Sequence, residues 1–235
     1  MTRPDHDDRV PTARADRVVP RPNTTFKPRR RAMSAARRRD LDTWLGRWGL
    51  DEAGPPLDWT DVFGDRPVVL DIGFGHGETT IEMARADPGT AIVGIDVHTP
   101  GVATVLDAIE HVPLPNVRVV HGDVLRFLVR VAHESLAGIR IYFPDPWPKP
   151  RQHPRRLVRE DVVPALVDRL SIGGELHLAT DIAGYADTMR RACAADDRLE
   201  GGVIERPPAR PLTRFERRGL DEGRHPVDLR YTRIA

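Results

Sequence analysis

The stretch Val68-Val-Leu-Asp71-Ile-Gly73-Phe-Gly75-His-Gly77 decides the fold. Val68 to Ile72 is a short, mostly apolar run that stops at glycine, the mark of a buried strand. Glycines then occupy alternate positions. Lacking a Cβ, they let the chain turn sharply out of a strand and come close to a ligand. A helical stretch, Thr79 to Ala86, follows. Reading outward, the strand–helix alternation repeats. Strands are expected at Ala91–Ile95, Val117–His121, Ile139–Phe143 and Glu175–Thr180, with further strands near 202–205 and 227–234. Helices are expected at Val102–His111, Leu125–Ala132, Leu157–Leu170 (interrupted by Pro164) and Ile182–Ala194. Repeated βα units with short links predict an α/β fold: a doubly wound, mostly parallel seven-stranded sheet with helices on both faces.

In such sheets a ligand sits beyond the carboxyl ends of the strands. Asp71, Gly73, Asp96, Asp123 and Asp145 lie at or just past those ends. Counting from Gly73, the sixth position is Glu78 rather than the glycine of a dinucleotide fingerprint. A carboxylate there would repel a pyrophosphate at the helix N-terminus. That argues against a nicotinamide oxidoreductase. The pattern acid-x-Gly-x-Gly-x-Gly suits a zwitterionic amino acid joined to a nucleoside. Asp96, 25 residues after Asp71, can accept both ribose hydroxyls. Asp123 can accept from an adenine amino group, or simply cap the next helix.

The chain has 235 residues, enough for one full core plus tails. We place a single domain at 36–235, after a basic arm, 1–35, expected to be disordered. Asp40 to Leu50 carries Leu41, Trp44, Leu45 and Trp48 at helical spacing and should cap the core. Net charge is only +1, so total charge identifies no partner. Its distribution is more telling. Arg21, Lys27, Arg29, Arg30, Arg31, Arg37, Arg38 and Arg39 fall in one run without an acid, which suits phosphate contact or a solvated tail. One cysteine, Cys193, excludes an internal disulfide and a multi-cysteine zinc site and fits the cytoplasm. No apolar run approaches the roughly 20 residues of a membrane span, and no metal is expected.

Past the fourth strand comes Phe143-Pro-Asp145-Pro-Trp147-Pro-Lys149, whose prolines make a rigid loop able to present Asp145 over a bound cofactor. With Arg151, His153, Arg155 and Arg156 after it, this loop resembles the signature of the bacterial tRNA (guanine-N7-)-methyltransferases, which are class I S-adenosylmethionine-dependent enzymes. Asp71–Gly77, Gly94-Ile-Asp96-Val-His98 with Pro100-Gly101, and Pro211-Leu-Thr213-Arg214-Phe215-Glu216 resemble that family's other motifs. The resemblance spans roughly residues 60 to 235.

It implies methyl transfer from S-adenosylmethionine to nitrogen-7 of a guanine in the tRNA variable loop, leaving S-adenosylhomocysteine. It also implies that Asp71, Gly73, Gly75, Gly77, Asp96, Asp123 and Asp145 hold the cofactor, with Asp145 also catalytic. Lys149, Asp181, Thr213, Arg214, Phe215 and Glu216 fall at substrate positions, and the charges of Arg151, Arg155 and Arg156 suit flanking phosphates. Asp71 and Asp96 stand where members usually carry glutamate, and Arg214 where they carry lysine. Two rivals remain. Amino-group methyltransferases use an Asn/Asp-Pro-Pro-aromatic turn, but Trp147 directly follows Pro146. A noncatalytic RNA-binding protein should have lost the glycines or acids. A single copy and a homodimer both remain open.

Overall fold

A computed structural model of the chain describes residues 25–26, 34–112 and 114–235. Helix α1 (Ala35–Trp48) and the short α2 (Trp59–Phe63) precede the alternating core. That core runs β1 (Val68–Ile72), α3 (Glu78–Ala86), β2 (Ala91–Asp96), α4 (Thr99–His111), β3 (Val117–His121), α5 (Val124–Phe127), β4 (Leu136–Tyr142), α6 (Val163–Val167), β5 (Leu170–Thr180) and α7 (Ala183–Ala194). Strand β6 (Leu199–Ile204), α8 (Arg214–Asp221) and β7 (Val227–Arg233) complete the chain. The seven strands lie in the order β3-β2-β1-β4-β5-β7-β6. The first five pair in parallel, whereas β7 inserts antiparallel between β5 and β6. The sheet is therefore mixed at its C-terminal edge.

Period-2 alternation divides the core. On one face Leu70, Ile72, Val93, Ile95, Ile139 and Ile141 pack with Phe63, Phe127, Leu166, Tyr185 and Met189. On the other, Ile92, Val117 and Val119 pack under α3, α4 and α1 through Met83, Val102, Leu106 and Leu41. This second layer covers only the β3-β2-β1 half. Beyond it the register aligns Asp71 with Arg140, Arg140 with His177, and His177 with Arg230. Arg140, His177 and Arg230 line a groove of about 260 Å³ together with Tyr142, Pro207 and Arg210.

Three expectations need correction. Leu157–Leu170 is not one helix: only Val163–Val167 is α-helical, with Pro164 in its first turn, where a missing N–H costs nothing. Upstream, Leu157, Val158 and Val162 are buried in irregular chain, and the Val158 amide donates to the Tyr185 hydroxyl at 3.1 Å. Strand β5 begins at Leu170 rather than Glu175, with Gly173 at φ +82° where its register against β4 shifts. Leu125–Ala132 divides into α5 and a 3₁₀ turn, Leu128–Arg130.

The tightest backbone approach lies where α4 meets the loop after β1. A Cβ on Gly101 would stand 1.6 Å from the Gly75 carbonyl oxygen. Gly101→Ala should therefore cost about 1–3 kcal/mol or more through forced backbone displacement. Gly184→Ala, in the first turn of α7 with open space around its Cβ, should be neutral or stabilising. Urea unfolding of both variants checks the pair; equal midpoints would remove the close approach as a constraint.

Candidate active site

The loop after β1 is held by backbone and carboxylate together. Gly73, Gly75 and Gly77 have φ of +76°, +63° and +79°, conformations that favour glycine. The Gly73 amide donates to the Ile95 carbonyl at 2.8 Å, and Gly77 to Phe74 at 2.9 Å. Asp96 ties the loop to β2: its two oxygens accept from the amides of Gly75 and His98, each at 2.7 Å. Above Gly73 and Gly75 an added Cβ would meet nothing within 4 Å, so open space faces the loop. An ionised carboxylate offers about four lone-pair directions. Asp96 therefore keeps acceptor capacity toward that space.

Asp71 is buried and accepts from the Thr80 hydroxyl at 2.6 Å. Burial pushes its carboxyl above the ordinary range, against the opposing pull of Thr80 and of Arg140 on the neighbouring strand. Burial likewise raises Asp96, against its amide bonds from His98 and Gly75. Asp123 caps α5, accepting from the Leu125 amide at 2.9 Å, while its own amide donates to Glu52 at 2.8 Å. Partial burial raises it too. The capping role left open for Asp123 is thus observed.

Past β4 the chain enters a left-handed conformation at Phe143, φ +51°, and again at Trp147, φ +43°. Such backbone in residues with a Cβ is strained and must be held by its surroundings. The Phe143 amide donates to the Ala179 carbonyl at 2.8 Å. Trp147 is buried, with the Arg155 guanidinium 3.7 Å from its ring centroid. Its Nε1–H donates to the Thr25 carbonyl at 3.1 Å, and Arg155 donates to that of Phe26 at 2.9 Å. Two residues of the expected disordered arm are thus seated on the loop. Arg37, Arg38 and Arg39 are exposed on α1, while Arg21, Lys27, Arg29, Arg30 and Arg31 lie outside the described residues. Asp145 is exposed and makes no side-chain hydrogen bond or ion pair among the described residues; Lys149 and Arg151 are exposed beside it.

Arg156 overturns its assignment to phosphate. It is buried, lies 4.8 Å from the Tyr185 ring, and donates to the Pro146 carbonyl at 2.8 Å and Thr188 Oγ1 at 2.9 Å. It braces the loop from beneath.

Helix α8 stands against this loop. Thr213 caps it, accepting from the Glu216 amide at 2.9 Å. Arg214 pairs with Glu78 of α3 at 2.6 Å, joining α8 to the glycine loop. Phe215 is 50% exposed, its ring 5.5 Å from that of Phe143. Asp181, past β5, does not cap α7; it pairs with Arg224. Glu216 is 1% exposed, and both its oxygens are taken by Arg210, at 2.6 and 2.7 Å. Both acceptors of this expected substrate contact are thus already occupied within the chain. Arg210 also donates to Asp228 at 2.9 Å. Asp228 accepts from His177 Nε2 at 2.8 Å, and His177 Nδ1 meets the Tyr142 hydroxyl at 2.9 Å. Burial pushes the Asp228 carboxyl up, but its bonds to His177 and Arg210 outweigh that and leave it below the ordinary range. Sequence reasoning missed Arg210, Asp228, His177 and Tyr142; the one available signal was an arginine beside the Pro211–Glu216 motif.

Residues 65–229 match the family model described as "Putative methyltransferase". The chain is 45% identical to the tRNA (guanine-N(7)-)-methyltransferase of Streptomyces coelicolor, over 89% of this chain and 80% of that one. It is 40% identical to the enzyme of the same name from Nitrosomonas europaea, over 91% and 98%. The chain belongs to the tRNA (guanine-N(7)-)-methyltransferase family. Among solved structures, the antibiotic-resistance methyltransferase Kmr aligns at a TM-score of 0.55 and 20% identity, over 76% of this chain and 92% of that one. A mutant 16S rRNA (adenine(1408)-N(1))-methyltransferase with cosubstrate SAM, from Catenulisporales acidiphilia, aligns at 0.54 and 16%, over 78% and 95%. At such identities these two establish the fold alone. In this methyltransferase Asp96 holds the glycine loop, and α8 touches both the start of α3, through Arg214–Glu78, and the Asp145 loop, through Phe215–Phe143. No helix of the described residues is long and apolar enough to cross a membrane.

Asp71 is costly to the fold of this family member. A carboxyl whose pKa is raised by folding binds protons more tightly in the native state, so stability falls as pH rises through the window above its unfolded value. Asp71→Asn removes that cost and keeps an acceptor for Thr80. The variant should be at least as stable as wild type at pH 7, with the difference shrinking as pH falls through the raised pKa. Thermal melts from pH 4 to 8 check this; a variant that melts lower at every pH would refute it.

Proposed function

We propose that this chain transfers the methyl group of S-adenosylmethionine to nitrogen-7 of a guanine in tRNA, releasing S-adenosylhomocysteine. The observation that carries it is Asp145. An unpaired, exposed carboxylate sits in a strained, proline-locked loop at the same sheet edge as the open glycine loop.

The donor, when bound, supplies an electrophilic methyl on a sulfonium. The open space above Gly73 and Gly75 and the remaining acceptor capacity of Asp96 fit its nucleoside, with Asp96 toward the ribose hydroxyls and Asp71 and Asp123 framing the pocket. Guanine nitrogen-7 already carries a lone pair, so the protein need not remove a proton to make a nucleophile. Its task is positioning, plus a negative charge where the purine becomes cationic. Asp145 meets the second need, because no arginine or lysine among the described residues neutralises it. The base must leave its stack to reach this edge. Phe215 and Phe143 offer aromatic faces for it, and exposed Lys149 and Arg151 suit the flanking phosphates. A tRNA substrate also fits the cytoplasmic location expected from the lone, buried Cys193.

Incubation with tRNA and methyl donor, followed by nucleoside mass spectrometry, should yield 7-methylguanosine; a different methylated nucleoside would replace this function. Asp145→Asn should slow single-turnover methylation by about a hundredfold, roughly 3 kcal/mol, with smaller changes in donor and tRNA affinity. An unaltered rate would make Asp145 a structural residue.

Replacing Lys149 and Arg151 together by alanine should weaken tRNA binding and lower the slope of log affinity against log salt by about 2. Donor affinity should hold. An unchanged slope, measured by filter binding across a salt series, would leave these charges merely solvated.

A further inference from the structure

Glu216 presents a conflict that its motif does not resolve. It lies in the segment expected to meet substrate, yet it is buried, with both carboxylate oxygens occupied. The group occupying them is a planar fork of two donors, Nη1 and Nη2 of Arg210, at 2.7 and 2.6 Å. The Watson–Crick edge of guanine carries a similar feature: N1–H and the N2 amino group, side by side in one plane. Adenine and cytosine lack that pair. A carboxylate shaped to take a guanidinium bidentately is therefore shaped to take guanine.

Resting on the proposed guanine substrate, we propose that Arg210 is a positioning residue that holds Glu216 in a guanine-like two-donor grip, and that the incoming guanine displaces it to take its place on the carboxylate. Three observations make the exchange feasible. First, Arg210 does not lose all compensation when Glu216 leaves. It keeps Asp228, which is fixed in turn by His177 and Tyr142, and it lies 5.4 and 5.7 Å from the ring centroids of Tyr142 and Phe143. Second, α8 is weakly seated. It buries only Glu216 and Gly219; beyond the Arg210 grip it is tied by the ion pair Arg214–Glu78 and by Arg206, 3.5 Å from Glu216, while Arg224, just past its end, pairs with Asp181. With so little apolar area to uncover, it can shift at low cost. Third, Phe215, next to Glu216, already stands half exposed beside Phe143, so an aromatic face adjoins the carboxylate.

The device has two consequences. Until guanine arrives, Glu216 is never a bare buried charge, a state that would be strongly destabilising. The Arg210 grip must also be broken before guanine binds, so apparent tRNA affinity scales with the fraction of time Glu216 is available.

The test compares wild type with Glu216→Gln and Arg210→Lys, using tRNA that carries guanine or inosine at the methylated position. Inosine lacks the N2 amino group. Rates are taken in single turnover at limiting tRNA and normalised to donor-binding sites, so that a poorly folded fraction does not count. Wild type should favour guanine by about tenfold or more, the worth of one hydrogen bond to a charged acceptor. Glu216→Gln, which faces the paired donors with one acceptor and one donor, should reduce that preference to about threefold or less. Arg210→Lys replaces the fork by a single point contact. It should retain the preference and lower the half-saturating tRNA concentration by about threefold, because less of the grip has to be broken. A Glu216→Gln variant with wild-type preference would overturn the proposal, as would an Arg210→Lys variant whose half-saturating tRNA rises. Should Arg210→Lys not fold, the Glu216→Gln comparison still decides. Wild type that forms no 7-methylguanosine would refute the function itself, an outcome distinct from failure of the exchange.

Discussion

The carboxylate of Asp96 is the tie on which the site depends. One of its oxygens accepts from Gly75, in the turn after β1; the other accepts from His98, at the entry to α4. Through this one group the ends of two adjacent parallel strands and the start of a helix are fixed relative to each other. The Gly75 carbonyl then lies against Gly101, so close that no Cβ fits between them. The glycine loop is therefore clamped from both sides and stays open only toward the sheet edge. The clamp requires Asp96 to be ionised where burial disfavours ionisation, and its two amide bonds oppose that cost. Structural work and ligand capacity share one carboxylate because two of its four acceptor directions suffice for the clamp.

The opposite wall of the site is built on a different principle. Phe143 and Trp147 hold strained backbone that apolar packing, Arg155 stacked over Trp147 and Arg156 bonded to the Pro146 carbonyl keep in place. Helix α8, in contrast, is tethered mainly by charge, through Arg210–Glu216 and Arg214–Glu78. Rigid loop and loosely seated helix are complementary: the first fixes where Asp145 points, the second leaves room for a macromolecular substrate to enter. Thr25 and Phe26 are seated on Trp147 and Arg155 at the same wall.

Much of this was legible in the sequence, and the parts that were not share a cause. Asp71, Asp96 and the three glycines were readable because a strand ending in polar or flexible residues is a local pattern, and strand ends in a parallel sheet converge. The antiparallel β7 was not, because alternation with period 2 carries no strand direction. The false helix at Leu157–Leu170 arose because Leu157, Val158 and Val162 are buried for reasons of tertiary packing, which mimics a helical stripe. Arg155 and Arg156 are adjacent and chemically identical, yet one lies over Trp147 and the other is buried against Tyr185. Side-chain direction in an irregular loop is set by what it packs on, and no spacing rule encodes that. The Arg210–Glu216 pair is only six residues apart. It escaped notice because a motif draws attention to its own residues, whereas the partner that governs Glu216 lies just outside it.

The carboxylates of the site divide by how each one's charge is balanced, and that division follows the chemistry proposed for them. Asp71 and Asp96 are desolvated and balanced by fixed hydrogen bonds, which suits groups facing a donor whose contacts do not change in kind during transfer. Glu216 is balanced by a cation that can be exchanged, which suits a group whose partner arrives from outside. Asp145 is exposed and has no charged partner among the described residues. A carboxylate left with solvent in the resting state has the most to gain when water leaves and a purine becomes positive beside it, because attraction between opposite charges strengthens as the local dielectric falls. An ion pair to Asp145 in the resting protein would cancel that gain in advance. The absence of such a partner among the described residues therefore suits the catalytic role proposed for Asp145.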